Sequence, residues 1–197
     1  MDVTGNSFPR IYDAGSLEVS AKVLSDFGLD PLSSEPMLRL GLPSKLPGEM
    51  PLVQFEAPQR VDFNGEELLV VAHEPWGRGL LLCLSPDGKV IAAGDGMHQF
   101  VNSRLSSFLG FLALYETFQE QARSGDSGPV VYSQSEMQAR LEAFRRGEFQ
   151  ARPAEQRFNR DVAISTMAAE WTTLDPAALV EGAWWSVVLE QLEDGQI

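Results

Sequence analysis

The sequence predicts an α+β protein with a central, mostly antiparallel sheet of about five or six strands flanked by helices. Short apolar runs separated by turn residues occupy residues 52–93, the pattern of successive strands joined by tight turns. A stretch with apolar residues at helical spacing follows at 105–118. Helix-capping signals recur after residue 132, and they indicate a helical C-terminal part.

The length of 197 residues suits one domain. We expect a single domain over residues 1–197 with three parts. Residues 1–15 are an irregular N-terminal segment. Residues 16–123 hold a helix, the sheet and a core helix, and residues 133–195 form the C-terminal helical part.

The N-terminal part begins with a predicted helix. Ser16 is a suitable cap, residues 17–27 carry an apolar stripe, and Gly28 ends the helix. Residues 31–36 are bounded by prolines and are predicted to be a linker or turn. Residues 41–51 contain three prolines and two glycines, which interrupt regular structure.

Five short segments have the composition of strands: 52–55, 60–63, 67–73, 80–84 and 89–93. The turn at Asn64 and Gly65 connects the second segment to the third. Asp87 and Gly88 lie between the last two segments, and this Asp-Gly pair between apolar runs is the clearest hairpin signal in the chain. The third segment is almost continuously apolar, which is typical of a central strand.

The predicted core helix follows the sheet. Asn102 or Ser103 caps it. Its apolar positions cover much of its circumference, so we expect it to be buried across the sheet. These positions are Leu105, Phe108, Leu109, Phe111, Leu112, Leu114, Tyr115 and Phe118.

Three helical segments are expected at the C-terminal end. Ser133 and Glu136 form a capping box that opens a helix ending at Gly147. Residues 154–173 are helical or mixed. Asp175 followed by Pro176 begins a last helix that runs to about residue 193. Its predicted inner face holds Trp185, Val188, Leu189 and Leu192, while Trp184 faces a different direction.

The charge is strongly acidic. Fifteen Lys and Arg stand against 28 Asp and Glu, a formal net charge of −13. Such a charge repels nucleic acids and anionic membranes, so direct binding to either is not expected. It favours a basic partner, or else it serves solubility alone. No signal peptide or membrane span is visible, and a cytoplasmic location is the default.

Residues with catalytic or metal-binding chemistry are scarce. His73, His98 and Cys83 are too few and too scattered for a metal site, and no phosphate-binding glycine loop occurs. Cys83 lies in an apolar run, which favours a buried residue over a reactive thiol. His98 is read as a loop histidine in preference to a general base. We therefore expect no enzyme activity and no cofactor.

Candidate partner-binding residues fall into two groups. Trp76 and Arg78 lie in a loop rich in Pro and Gly, and these residue types are enriched at binding hot spots. The alternative is that Trp76 packs at the edge of the core and Arg78 is solvated. The second group comes from residues 161–197, which hold seven acids and no Lys or Arg. Its candidates are Asp161, Glu170, Glu181 and Glu190.

The order of motifs between residues 80 and 118 resembles the SUKH superfamily of bacterial immunity proteins, particularly its fourth family. The motifs are a strand ending in Cys83-Leu84, the Asp87-Gly88 turn, the strand residues Val90-Ile91, the segment 100–103 (Phe-Val-Asn-Ser), and then Leu105 and Phe108 opening a helix. Arg104 stands where a second Ser is usual in that family. Gly-Leu-Pro at 41–43 and Trp184-Trp185 are also similar, so the resemblance covers roughly residues 16–195.

The resemblance implies an antidote to a polymorphic toxin. Such proteins bind the toxin's catalytic domain, often a nuclease or nucleic acid deaminase, and occlude it. The family has no catalytic residues to transfer. We expect a basic toxin domain as partner and a monomer or weak homodimer. The alternative is an intracellular scaffold or regulatory module of the same fold that binds another protein.

Overall fold

The computed structural model describes residues 10–48, 51–75, 79–94, 96–125, 133–148 and 158–197. Its main sheet is an antiparallel meander whose strands lie side by side in chain order. This arrangement follows from the short turns between consecutive strands. The strands are β3 (Gln54–Phe63), β4 (Glu66–His73), β5 (Leu81–Leu84), β6 (Val90–Gly94) and β7 (Met97–Asn102), and a separate pair is formed by β1 (Ser16–Leu17) and β2 (Leu42–Pro43).

Within the described residues the sheets are accompanied by six α-helices and two short 3-10 helices, so the α+β prediction is confirmed. The α-helices are α1 (Ala21–Phe27), α2 (Pro31–Leu40), α3 (Leu105–Gly125), α4 (Gln134–Arg145), α5 (Arg160–Leu174) and α6 (Trp184–Glu193). The 3-10 helices are Arg10–Tyr12 and Pro176–Leu179.

The main core lies between one face of the sheet and α3. Phe108, Phe111 and Leu112 on α3 are fully buried in the same cluster as Leu82 and Leu84 of β5. The predicted core helix is therefore confirmed. A second, smaller cluster lies on the other face of the sheet, because side chains alternate along a strand. Its buried members are Leu68, Val70, Cys83, Ile91 and Ala93.

The N-terminal predictions need two corrections. Residues 17–27 do not form one helix: Ser16 and Leu17 pair with β2, and α1 begins only at Ala21. Residues 31–36 are not a linker, because they form the first turns of α2. The Asp30 side chain accepts hydrogen bonds from the Leu32 and Ser33 amides at 2.8 and 3.1 Å, and Pro31 occupies the first turn, where a missing N–H costs nothing.

The strand predictions are correct in position but wrong in two details. Segments 52–55 and 60–63 belong to one strand, β3, which is interrupted by an irregularity between Phe55 and Gln59. Strand β7 was not predicted; its first two residues, Met97 and His98, are exposed at the sheet edge, so they lack the apolar alternation of a buried strand. His98 therefore lies on a strand and not in a loop.

The Asp87-Gly88 hairpin between β5 and β6 is confirmed. Gly88 has a φ of +81°, a conformation that L side chains rarely adopt. A Cβ atom there would also collide with Ser33, at the start of α2. The turn is consequently packed against the N-terminal helices as well as being tight.

The C-terminal helices agree only partly with prediction. The Ser133–Glu136 capping box of α4 is confirmed. Residues 154–157 lie outside the described residues, and α5 is capped by Asn159. The last helix is not continuous from Asp175, because Pro176–Leu179 forms a 3-10 helix and α6 begins at Trp184.

Candidate functional site

A buried carboxylate connects the C-terminal helices to the sheet. Asp175, between α5 and the 3-10 helix, accepts three hydrogen bonds: from Asn102 Nδ2 (3.1 Å), from the Ser103 amide (2.7 Å) and from Ser103 Oγ (3.0 Å). Trp185 Nε1 on α6 donates to Asn102 Oδ1 at 2.8 Å. Asn102 and Ser103, at the end of β7, therefore connect the sheet to Asp175 after α5 and to Trp185 on α6.

This network corrects two sequence predictions. Asn102 and Ser103 direct their side chains to Asp175 and Trp185, and α3 begins at Leu105, with the Arg104 carbonyl accepting from the Phe108 amide. Asp175 has no side-chain capping bond to the helix that follows it. A local cap and a long-range bond compete for the same oxygen atoms, and here the long-range bonds form.

Aromatic rings surround the same junction. The Phe111 and Trp171 rings stack 5.1 Å apart and nearly parallel, and Trp185 contacts both rings. Trp171 Nε1 donates to the Phe111 carbonyl at 3.2 Å. Because Trp171 and Trp185 are completely buried, this junction is a structural core and does not form an accessible site.

A cleft of about 750 Å³ lies beside this core. Its described lining comes from α3, α6, residues 196–197, residues 47–48 and 51–52 before β3, and the residue after β4. Its polar wall holds Glu74, Tyr115, Glu116, Gln119, Arg123 and Gln191, and its apolar wall includes Leu52, Trp184 and Val188. Its volume and its mixed lining are those of a ligand-binding cavity.

Glu116 is the unusual residue of this cleft. It is 4% exposed, and its Oε2 atom is buried without a hydrogen-bond partner among the described residues. Burial raises the pKa of its carboxyl from 4.5 to about 7, and the nearby positive charge of Arg123 opposes that rise. Unpartnered buried oxygen atoms are rare in folded proteins, and each one requires an explanation.

The other polar groups of the cleft have partners. Trp184 Nε1 donates to Glu74 Oε1 at 2.6 Å, and Gln119 Nε2 donates to the Tyr115 hydroxyl at 2.7 Å. Burial raises the pKa of Tyr115, while the Gln119 bond opposes the rise. Trp184 is buried like the core residues and lines the cleft, whereas Trp185 lies in the core.

The structure offers little for catalysis by the residues that the sequence singled out. Cys83 is fully buried, and burial raises the pKa of its thiol to about 12, which disfavours a thiolate. His98 Nε2 lies 3.3 Å from Glu66, and His73 Nδ1 lies 3.9 Å from Glu56. In the described part of the chain no group of three or more His, Cys, Asp and Glu is placed to hold a metal ion.

The predicted partner-binding residues lie at several places. Trp76 and Arg78 are outside the described residues. Asp161 and Glu170 are exposed on α5; nine positions separate them, which places them about 180° apart around the helix axis. Glu181 precedes α6 and Glu190 lies on α6, and both are exposed. One acid of the predicted acidic face, Asp175, is buried and does not belong to that surface.

Sequence reasoning missed Glu116, although a signal was present. Glu116 follows Leu105, Leu109 and Leu112 at spacings of four, three and four residues, so it lies on the apolar stripe of α3. A lone carboxylate at a core position of an apolar helix indicates a buried charge, and such groups are candidates for a functional site.

The structure is an α+β domain in which α3 covers an antiparallel meander and the C-terminal helices are hydrogen-bonded to the edge of the sheet. A cleft of ligand size lies beside these helices, and such a domain is suited to binding. The chain belongs to the SUKH-4 immunity protein family, whose family model matches residues 12–191. This match confirms the resemblance predicted from the motifs at 80–118. Comparison with curated proteins and with solved structures gives no match.

Membership in this family supports a role as an immunity protein with a cognate toxin as partner. No helix in the part of the chain described by the structure combines the length and the apolarity that crossing a bilayer requires.

Proposed function

We propose that the protein is a cytoplasmic immunity protein that binds the catalytic domain of a basic toxin, such as a nuclease or nucleic acid deaminase, and occludes its active site. The observation that carries this proposal is membership in the SUKH-4 immunity protein family over most of the chain. The net charge of −13 supports a basic partner, because enzymes that act on nucleic acids bind phosphates with cationic clefts.

The acidic C-terminal segment is the proposed contact surface. Asp161, Glu170, Glu181 and Glu190 are exposed, and residues 161–197 contain no Lys or Arg to neutralise them. Their spread over α5, α6 and the turn between them suits steering of a basic protein more than one tight ion-pair cluster. Electrostatic complementarity of this kind mainly raises the association rate.

The proposal is tested by co-expressing the chain with the C-terminal domain of the toxin encoded directly upstream of its gene. We expect a tight 1:1 complex that inhibits the toxin, and an association rate that falls steeply as salt concentration rises. A complex whose association rate does not depend on salt would contradict the steering by acidic residues. Failure to bind that toxin, together with capture of a different protein, would favour the alternative of a scaffold or regulatory module.

Two matched variants separate the effect of where the acids lie from the effect of total charge on the association rate. The first carries Asp161→Asn, Glu170→Gln, Glu181→Gln and Glu190→Gln. The second removes the same charge from exposed acids elsewhere, with Asp13→Asn, Glu18→Gln, Glu35→Gln and Glu142→Gln. We expect the first variant to slow association roughly tenfold at low salt and the second to slow it less than about threefold. Equal slowing would show that total charge acts, and not this surface.

Trp76 and Arg78 form the second group of proposed contact residues. If they are hot spots, replacing either with Ala weakens the complex by about 2 kcal/mol or more and accelerates dissociation. Unchanged dissociation rates for both variants, measured by surface plasmon resonance, would remove this loop from the contact surface.

A further inference from the structure

One carboxylate oxygen on the wall of the cleft beside α3 has no hydrogen-bond partner among the described residues. Glu116 Oε2 is buried and has no hydrogen-bond donor among the described residues, although the side chain lies on the wall of a cavity of about 750 Å³. Leaving a buried carboxylate unpaired is costly, whereas pairing it with a positively charged donor recovers much of that cost. The site is therefore electrostatically incomplete.

The remaining lining suits one class of ligand. Glu74 provides a second carboxylate, of which Oε1 accepts from Trp184. Trp184 and Tyr115 also line the cleft, and aromatic rings of this kind attract cations, while Leu52 and Val188 provide apolar contact. A cationic head on an apolar stem matches this combination, since the head meets carboxylates and rings while the stem meets apolar walls.

Charged groups that face Glu116 come from two elements. From α3 itself, Arg123 lies two turns further along, and its guanidinium lies against Gly48; Tyr115 is the neutral titratable group next to Glu116. Glu74 faces the cleft from the end of β4, whereas the lining residues from α6 and the described ones from the segment after β2 carry no charged side chain. Gln196 and Ile197 also line the cleft, and the main-chain oxygen of Ile197 accepts a hydrogen bond from Arg160. No ion pair joins Arg123 to Glu116 among the described residues.

We propose that this cleft binds a guanidinium or primary ammonium group on an apolar stem, with Glu116 as its counter-ion. This inference does not rest on the proposed function. The cation arrives either on a free small molecule or on an Arg or Lys side chain of a bound protein, and the two sources share the same chemistry at Glu116.

The proposal predicts pH-dependent affinity. The ionised form of Glu116 binds the cation, and this form increases from about 9% at pH 6 to about 91% at pH 8 for a pKa of about 7. A guanidinium stays charged throughout this range. Apparent affinity for a guanidinium ligand therefore rises about tenfold between pH 6 and pH 8.

The test is an NMR titration of the full chain with n-butylguanidinium, compared with its uncharged analogue n-butylurea. The indole N–H of Trp184 lines the cleft and donates to Glu74, so its resonance reports binding directly. We expect weak, saturable shifts with n-butylguanidinium and none with n-butylurea. Glu116→Gln should weaken binding at least about tenfold and abolish its pH dependence. The matched control Glu142→Gln, at an exposed acid on α4 that does not line the cleft, should bind normally.

Three results would overturn the proposal. The first is equal binding of n-butylurea, which would show that charge is irrelevant. The second is binding unchanged by Glu116→Gln. The third is no binding at any pH, the result expected if Arg123 turns inward and satisfies Glu116 itself.

The source of the cation is decided separately in the toxin complex. If a partner side chain fills the cleft, Glu116→Gln accelerates dissociation of the complex and n-butylguanidinium competes with the toxin. If the complex is unaffected while the small cation still binds, the ligand is a free molecule. If the unmodified chain does not bind the toxin, the proposed function is contradicted, but the result of the titration with n-butylguanidinium is unaffected.

Discussion

Two carboxylates in this protein are equally buried and yet differ in their surroundings. Asp175 and Glu116 are each 4% exposed. Asp175 accepts three hydrogen bonds from the end of β7 and the residue after it, whereas one oxygen of Glu116 has no partner among the described residues. The first carboxylate lies in a closed junction and the second on the wall of a cleft.

Because the two carboxylates are equally buried, the difference between them lies in their hydrogen-bond partners. At Asp175 the protein supplies the donors, so the charge stabilises the connection between sheet and C-terminal helices. At Glu116 no described residue donates a hydrogen bond to Oε2, so a proton or a ligand can stabilise this carboxylate instead. A structural role follows in one case and a binding role in the other.

The largest expected effect on stability comes from removing Asp175, the carboxylate whose hydrogen bonds are supplied by the protein. Asp175→Ala removes three accepted bonds and leaves donors of Asn102 and Ser103 unpaired, so we expect a loss of about 3–4 kcal/mol in the free energy of unfolding. Urea denaturation measures this loss. Asp194→Ala, at an exposed acid after α6, is the control and should change stability by less than about 0.5 kcal/mol. A loss below about 1 kcal/mol for Asp175→Ala would mean that the junction does not depend on this carboxylate.

A smaller effect is expected from titrating the unsatisfied site. The folded protein retains the Glu116 proton up to about pH 7, whereas the unfolded chain releases it near pH 4.5. Between these values the folded state binds more protons, so the stability contributed by this group falls as pH rises, by about 3 kcal/mol in total.

The measurement is the difference between the unmodified chain and Glu116→Gln in urea denaturation from pH 4 to pH 8. Taking the difference cancels acids such as Asp30 and Asp87, whose pKa values are lowered and which act in the opposite direction at lower pH. The variant should gain in relative stability as pH rises. Parallel curves for the two proteins would show that Glu116 titrates normally.

The smallest effect comes from removing one donor at the satisfied site. Ser103→Ala deletes the Oγ bond to Asp175 and keeps the backbone amide bond, so we expect a loss of about 1 kcal/mol. Ser106→Ala, at an exposed position in the first turn of α3, is the control and should be neutral within about 0.5 kcal/mol. If Ser103→Ala were as damaging as Asp175→Ala, the bonds at this site would act as one unit and not as separate contributions.

The features predicted correctly from sequence depend on local signals. The Asp87-Gly88 turn requires a positive φ that Gly provides, the Ser133–Glu136 box closes within one turn of helix, and the apolar repeat of α3 spans about four turns. Each signal is complete within a few residues of chain. Distant contacts therefore have little opportunity to alter the result.

One error has a local cause: residues 31–36 contain two prolines and predict a linker or turn, but Asp30 caps a helix that begins at Pro31. The other errors occur where distant contacts decide between local alternatives. Asp175 has the appearance of a helix cap, yet its oxygens bind residues more than 70 positions earlier. Strand β7 is polar at its start, and its pairing with β6 compensates for weak intrinsic preference.

The sequence by itself determined the α+β class, the order of most strands, the buried helix α3 and the family, because periodicity, turn residues and motif order are written along the chain. It also carried Glu116 at a core position of that helix. Only the tertiary structure decided that the described residues around the cleft give Glu116 Oε2 no donor, while the end of β7 and the residue after it give Asp175 three hydrogen bonds. The hydrogen-bond partners of buried groups depend on which distant segments come into contact, and local sequence patterns do not predict those contacts.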